Sequence, residues 1–317
     1  MDIVLTGSIA FDYLMWFPGR FRDHILPDHL DRISLSFLVD HLVRRRGGIA
    51  ANIAYTLALL GERPRVMATV GEDFGEYREW LESNGVDTSA IQVIPGLFTA
   101  SYFVNTDETN AQIASFYTGA MARASDLRFT DLAAKPDMVM ISANDPMAMA
   151  SYVRECRASA IPYLYDPSQQ IVRLDTEVIR EGIVGCRGLF VNDYEFALIE
   201  DKIGLSVETA AEAAGLLVIT RGAEGADLHT SAGRIHVPAA APRSIADPTG
   251  VGDAFRAGFL KGHLHGLSLE CCGQMGVLAA TYCLEHEGPQ GHNFTLPEFV
   301  ARFRETFDDR GELDRLL

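Results

Sequence analysis

An acidic residue directly after a glycine-rich turn is the arrangement in this sequence best suited to chemistry. The residue is Asp253, in the stretch DPTGVGDAFRAG. Here a turn precedes an expected helix over 251–264, and the first amide groups of a helix lack intrahelical acceptors and can bind an anion. Four residues would supply these amides: Gly250, Val251, Gly252 and Asp253. The Asp253 carboxylate could accept a proton from a hydroxyl while the amides hold a phosphoryl group. Taken alone, the pattern equally fits an ordinary glycine turn with an acidic first turn.

A second glycine-led helix start lies near the N-terminus. Gly47 and Gly48 precede an expected helix over 49–60, and Asn52 lies one turn inside it. Glycines permit close approach of a ligand, and the Asn52 amide offers both a donor and an acceptor to hydroxyl groups. Tight packing of the helix on a sheet would explain the glycines equally well.

The stretch DPTGVGDAFRAGF resembles the second signature of the PfkB (ribokinase-like) carbohydrate kinases, and GGIAANIA resembles their N-terminal signature. Neither a GxxxxGK[ST] nor a GxGxxG motif is present, as expected for a family in which the glycine loop forms the anion hole. The resemblance implies that Asp253 is the catalytic base and that Gly250, Val251 and Gly252 belong to the anion hole.

The same resemblance assigns further residues along the chain. The sugar-binding residues are expected to be Ser8, Asp12, Gly48 and Asn52. The ATP-binding residues are expected to be Asn192, Thr220, Gly222, Gly225 and Gly252. The metal-linked residues are expected to be Asn192 and Glu195, acting indirectly on Mg²⁺, with Asp247 and Thr249 binding an activating K⁺.

Several stretches resemble bacterial adenosine kinases, among them TGSIAFDYLMWFPGRF, AQIASFYTGAM and YDPSQQ. In this resemblance Tyr102 and Phe116 sandwich a purine ring, and Gln169 and Gln170 contact the base edge or the ribose; alternatively, the two aromatic residues simply fill the core of a lid. The predicted reaction is transfer of the ATP γ-phosphate to the 5′-hydroxyl of adenosine, giving AMP. The alternatives are a ribokinase- or fructokinase-type sugar kinase, another purine nucleoside kinase, or a catalytically silent nucleoside-binding protein.

Short apolar runs alternate with helical patterns, which indicates a doubly wound, mostly parallel α/β sheet with helices on both faces. The expected strands cover 3–6, 66–70, 138–142, 163–165, 189–191 and 217–220, followed by two hairpin strands over 226–230 and 234–238. The expected helices cover 49–60, 76–84, 148–158, 175–182, 194–201, 207–214, 251–264, 267–285 and 296–307, with a peripheral helix at the C-terminus. We expect one ribokinase-like domain over 1–317, with a small β lid formed by roughly 13–46 and 97–119. These two segments could instead be edge strands or an oligomer contact, including a lid-mediated homodimer.

The formal net charge of −16 argues against a nucleic-acid partner. No apolar stretch is long enough to span a membrane, and five cysteines without zinc-type spacing fit a reducing cytoplasm. The basic run 44–46 is expected to form a solvated turn or, alternatively, an anion-binding patch. His263 and His265 are expected to be solvated rather than to bind a metal.

Overall fold

Parallel strands form the centre of the fold. The computed structural model describes residues 1–26, 31–32 and 34–317. The strands are β1 Ile3–Thr6, β2 Ala10–Phe17, β3 His41–Gly47, β4 Arg65–Val70, β5 Ile91–Val93, β6 Ala100–Asp107, β7 Gln112–Tyr117, β8 Met138–Ser142, β9 Tyr163–Asp166, β10 Leu189–Asn192, β11 Leu217–Thr220, β12 Ala226–Thr230 and β13 Gly233–Val237. Over these residues the main sheet has nine strands in the order β13-β12-β11-β10-β9-β8-β1-β4-β5. Its pairings are parallel except those of β12, which runs antiparallel to both β11 and β13.

Helices cover both faces of the main sheet. They are α1 Phe21–His24, α2 Ile49–Leu59, α3 Gly75–Ser83, α4 Pro146–Ala158, α5 Thr176–Ile183, α6 Asp193–Ile203, α7 Val207–Ala214, α8 Val251–Leu264, α9 Leu269–Leu284 and α10 Leu296–Thr306. Successive side chains of a strand point to opposite faces. Accordingly, Ile3 and Leu5 lie in a buried cluster with residues of α2, α8 and α9. Val4, between them, lies in a second cluster with residues of α4 to α7.

A second sheet of four strands, in the order β3-β2-β6-β7, is built from the two segments expected to form a lid, and we call it the lid sheet. The sequence pattern assigns strands only to β6 and β7 of this sheet; within 13–46, expected to be part of a β lid, it gives no strand bounds for β3 or for β2. Residues 27–30 and 33 of the expected lid lie outside the described residues. The basic run 44–46 belongs to β3, so the prediction of a solvated turn there is wrong.

One row of side chains crosses all four strands of the lid sheet. Asp12 pairs with Arg45 on one side and with Tyr102 on the other, and Tyr102 pairs with Phe116. Side chains at paired positions of neighbouring strands project from the same face. Arg45, Asp12, Tyr102 and Phe116 therefore share one face of the lid, although they are far apart in sequence.

The predicted helices and main-sheet strands are present, with ends displaced by a few residues. Helix α4 shows why: Asp145 caps it by accepting hydrogen bonds from the amides of Met147 and Ala148, so it begins at Pro146 rather than at 148. The expected C-terminal helix is instead a short 3-10 helix over Glu312–Leu316. In the part of the chain that the structure describes, no helix combines the length and apolar character needed to cross a bilayer.

Candidate active site

The loop that leads into α8 has the geometry of an anion site. Gly250 caps the helix with φ of 79°, a left-handed conformation that favours glycine. A Cβ at Gly250 would lie 2.3 Å from Cβ of Pro289, so the loop packs tightly against the segment 287–291. The amide of Val251 donates to the Pro248 carbonyl at 3.4 Å and so completes the turn. Gly252 and Asp253 follow in the first turn, where amide groups lack intrahelical acceptors.

Asp253 meets Asn52 across the cleft. The Asn52 side chain is buried, and its Nδ2 donates to Oδ2 of Asp253 at 2.8 Å. Desolvation by the surrounding protein raises the pKa of Asp253 to about 7, although Arg256 and the Asn52 hydrogen bond act in the opposite direction. A carboxylate with a pKa near neutrality is well matched to general-base catalysis at physiological pH.

A chain of hydrogen bonds fixes the orientation of the Asn52 amide. Nε1 of Trp80 donates to Oε1 of Gln290 at 3.1 Å, and Nε2 of Gln290 donates to Oδ1 of Asn52 at 3.0 Å. The Asn52 oxygen is thereby engaged, so its NH₂ group must point to Asp253. Three separate parts of the sequence, α3, the segment 287–291 and α2, thus position one carboxylate.

An arginine that sequence reasoning missed lies beneath Asp253. Arg256 is 6% exposed, and its Nη2 donates to Oδ1 of the fully buried Asp166 at 2.6 Å. Its Nη1 donates to the Gly252 carbonyl at 2.9 Å, and a Cβ at Gly252 would lie 2.9 Å from the same nitrogen. The charge of Arg256 also opposes the burial that raises the pKa of Glu195. Two features of the sequence could have indicated this pair. One is an arginine among the apolar residues of DAFRAGF, and the other is an aspartate at the end of a buried strand.

The lid face that carries Arg45 and Asp12 is turned toward the catalytic loop, because Arg45 pairs with Asp247. Asp12 lies over Gly47, where a Cβ would be 2.6 Å from its Oδ2, and burial raises the pKa of Asp12 to about 6. Tyr102 and Phe116 occupy directly paired positions of β6 and β7, so their side chains project from the same face of the lid sheet. Phe116 lines the cleft described below, and Tyr102 does not. The sandwich of a purine ring between them stays a prediction. Alternatively, they can form one aromatic wall, on which a base could stack with a single face.

The predicted ATP-binding residues divide into two groups. Asn192 and Glu195 form a reciprocal cap on α6: the Glu195 amide donates to the Asn192 side chain, and the Asn192 amide donates to Oε2 of Glu195. Together with Thr220 they line the cleft. Gly222 and Gly225 lie in the turn after β11 and do not line this cleft. Gly225 is required for packing, because a Cβ there would lie 2.0 Å from the Val237 carbonyl oxygen.

The donor set of Asn192 and Glu195 fits an indirect magnesium site. One Glu195 oxygen is engaged in capping α6, and Ser168 also hydrogen-bonds to this carboxylate, so a water bound to Mg²⁺ would be held by the acceptor positions that remain. Mg²⁺ usually keeps several waters and takes other ligands from substrate phosphates. Among the described residues there is no group of three or more His, Cys, Asp and Glu side chains that could hold a metal by themselves.

The donor set predicted for K⁺ does not fit that ion. The Asp247 carboxylate accepts from Arg45, from the Gly288 amide at 3.1 Å and from the Thr249 amide at 2.9 Å. The Thr249 carbonyl accepts from Sγ of Cys283 at 3.5 Å. Both oxygens expected to coordinate the cation therefore have partners within the protein.

These groups surround a cleft of 660 Å³ between the lid and the carboxyl ends of the main-sheet strands. The predicted site residues that line it are Ser8, Gly48, Asn52, Phe116, Gln169, Gln170, Asn192, Glu195, Thr220, Thr249, Gly250, Gly252 and Asp253. The lining does not include Asp12, Tyr102, Val251 or Asp247, which belong to the same lid face or to the same loop. Ser8 has a second role, since its hydroxyl accepts from the Ile49 amide at 3.2 Å and caps α2. The side-chain oxygen of Gln170 is buried without a hydrogen-bond partner.

The two histidines considered as metal ligands lie away from the cleft. His265 contacts Glu62 through Nε2 at 2.7 Å, and Glu62 also pairs with Lys261 at 2.6 Å. Burial lowers the pKa of His263, which keeps it neutral near pH 7. The pair has structural contacts of its own.

Comparison with known proteins gives a consistent result over nearly the whole chain. The model for the pfkB family of carbohydrate kinases matches residues 19–295. The chain is 31% identical over 309 residues to a nucleoside kinase of Methanothermobacter thermautotrophicus, with 95% of each sequence covered. It is similar in structure to a nucleoside kinase of Burkholderia thailandensis in complex with inosine, with a TM-score of 0.86, 34% identity and coverage of 96% and 98% of the two chains.

An adenosine kinase from Sinorhizobium meliloti is a more distant structural match. Its TM-score is 0.75 at 22% identity, with 95% and 98% of the two chains covered, which shows a shared fold and no more. The predicted ribokinase-like fold is confirmed by these similarities. The predicted restriction to adenosine is not confirmed, because the more similar relatives are described as nucleoside kinases.

Proposed function

The chain belongs to the pfkB family of carbohydrate kinases, and from this premise we propose that it transfers the γ-phosphate of ATP to the 5′-hydroxyl of a nucleoside. The observation that carries the proposal is Asp253, placed beside a glycine loop at a helix N-terminus and facing Asn52 across the cleft. The relatives support both ligands, since the Burkholderia thailandensis enzyme has also been solved in complex with ADP-inosine.

In the proposed mechanism, Asp253 accepts the proton of the ribose 5′-hydroxyl as the oxygen attacks the γ-phosphorus. The first-turn amides of α8 donate to the phosphoryl oxygens, on which negative charge is spread in the transition state. Asn52 holds Asp253 in place, and Asp12 accepts hydrogen bonds from the ribose hydroxyls. Glu195 and Asn192 would hold Mg²⁺ indirectly, through its water ligands, and the ion would supply positive charge that offsets the charge of the phosphates.

We further propose that several purine nucleosides are accepted, adenosine and inosine among them. The aromatic wall of Tyr102 and Phe116 would stack on any purine face, since stacking requires only a planar ring. Gln169 and Gln170 line the same cleft, and a glutamine amide offers both a donor and an acceptor. Such a side chain can pair with either a 6-amino or a 6-oxo purine edge, so it does not by itself select adenosine.

The test is ADP release in the presence of Mg-ATP with adenosine, inosine, guanosine, cytidine, ribose and fructose at equal concentration. Turnover of purine nucleosides and not of free sugars is the expected result; turnover of ribose or fructose alone would identify a sugar kinase instead. Asp253→Asn is the matched control. It should still bind nucleoside and ATP in a calorimeter but lose turnover by about 100-fold or more, the usual contribution of a general base. Near-parental turnover in this variant would remove Asp253 from the role of base.

A further inference from the structure

Arg45 is a fixed cation beside the catalytic loop. It projects from β3 of the lid, and its Nη1 pairs with Oδ2 of Asp247, the first residue of the loop that ends at Gly250. Its Nη2 lies 3.2 Å from Oε2 of Glu287. The side chains of Arg45 and Asp247 are only 21% and 15% exposed, so solvent screens this pair weakly.

The Arg45 side chain packs closely against Gly288 and Asp247. The positive φ of Gly288, 73°, brings its backbone close to the guanidinium, and a Cβ there would lie 3.3 Å from Cδ of Arg45. The Gly288 amide and the guanidinium share one oxygen of Asp247, and the Thr249 amide takes the other. The carboxylate is thus neutralised and fully hydrogen-bonded by the protein itself.

The charges around this pair disfavour an additional small cation. Arg44, Arg45 and Arg46 line a 210 Å³ pocket together with the segment 287–291. Glu287, in the lining of this pocket, is 81% exposed, and Arg46 pairs with Glu76 outside it. A potassium ion at Asp247 would therefore lie beside the Arg45 guanidinium, which already pairs with that carboxylate.

We propose that the Arg45 guanidinium performs the function for which K⁺ is expected at this loop, so that the enzyme orders its anion hole without a monovalent cation. This inference rests on the proposed kinase function. Because Gly250 packs against Pro289, a fixed Asp247 and a fixed 287–291 segment hold the loop from both sides. Because Arg45 belongs to the lid sheet, the same ion pair ties the lid to the catalytic loop. Arg45 is therefore a positioning residue rather than a catalytic one.

The first experiment uses the unmodified protein. Turnover and melting temperature are compared in KCl, NaCl and tetramethylammonium chloride at equal ionic strength. We expect no difference among the three salts in either quantity. A specific rise in turnover or in melting temperature with K⁺ would overturn the inference. The melting temperature needs no substrate, so this part stays decisive even if nucleosides are not the substrates.

The second experiment removes the guanidinium. Arg45→Ala should lower kcat about 10- to 100-fold through a displaced loop, with KM for ATP less affected. Added guanidinium or K⁺ should restore part of the lost kcat, whereas urea, which has nearly the same shape without the charge, should not. Glu76→Gln is the matched control, since it removes an exposed partner of the neighbouring Arg46 and leaves the Arg45–Asp247 pair intact; its kcat should remain parental.

The outcomes separate charge from packing. Parental kcat in Arg45→Ala without added cation, or equal rescue by urea and guanidinium, would contradict the inference. If Arg45→Ala does not fold, Arg45→Lys provides the test. Lysine keeps the charge but lacks the planar fork, so this variant should retain more activity than an Arg45→Gln variant of similar length; equal activity of the two would refute the role of charge.

Discussion

Replacing Asn52 by alanine should move the pH dependence of catalysis upward. The Asn52 amide donates to Asp253 at 2.8 Å, and burial already places the pKa of that carboxyl at about 7. A hydrogen bond to a charged group contributes about 1.5–3 kcal/mol. The protonated carboxyl keeps a weaker version of the bond, so the charged form loses about 1–1.5 kcal/mol relative to the neutral form. One pKa unit corresponds to about 1.4 kcal/mol, and the acid limb of kcat should therefore move up by about one unit.

The assay is kcat measured against pH at saturating Mg-ATP and nucleoside, so that weaker substrate binding by the variant does not enter. Activity should require the ionised base and fall as the pH drops through the pKa of Asp253. Titration of ATP is common to both enzymes and cancels in the comparison. Ser8→Ala is the control, because Ser8 lines the same cleft without touching Asp253. The acid limb of its kcat–pH profile should coincide with that of the parent. An unchanged or lowered limb in Asn52→Ala would refute the proposed role of the hydrogen bond.

Three further predictions follow from the site. Phe116→Ala should raise KM for purine nucleosides about 10-fold, since a stacked pair contributes up to about 1.5 kcal/mol; an equal effect on a pyrimidine nucleoside lacking the second ring would argue against purine stacking. In the folded protein the pKa of Asp253 is raised from 3.8 to about 7. The free energy of unfolding of the parental protein should therefore fall as the pH rises from about 4 to 7. Asp253→Asn should consequently melt above the parent at pH 8 and alongside it at pH 4; identical curves at both would contradict the raised pKa. Arg256→Met should destabilise the fold by about 3–5 kcal/mol by leaving Asp166 unpaired, and adding Asp166→Asn should restore part of it, as measured by urea unfolding.

The alternation of apolar runs and helical patterns was sufficient to predict the main sheet, because parallel strands buried on both faces are continuous hydrophobic runs. The anion loop was equally accessible, since its glycines and Asp253 are contiguous in sequence. Strand β2 was not predicted, because most of its residues are apolar and half-covered on both faces, so no alternation marks it.

Strand β3 shows a different limit. Three consecutive arginines look like a solvated turn, but each has its own partner: Arg44 lies over the ring of Phe11, Arg45 pairs with Asp247, and Arg46 lies over Trp80. The Arg45 pair joins positions 202 residues apart. Contacts of that separation leave no local pattern in a single sequence. For Arg256 and Asp166, which are 90 residues apart, the sequence shows two unusual residues but not that they pair.

The placement of the tryptophans has a spectroscopic consequence. The chain contains two: Trp16 is 38% exposed on β2 of the lid, while Trp80 donates from its indole to Gln290 in the body. One tryptophan therefore lies on each of the two parts that enclose the cleft. Their fluorescence emission maxima should differ, because one indole is exposed to solvent and the other is hydrogen-bonded within the protein. Lid position and the state of the 287–291 segment can thus be followed separately in the unlabelled protein, by recording one tryptophan at a time after a phenylalanine replacement of the other.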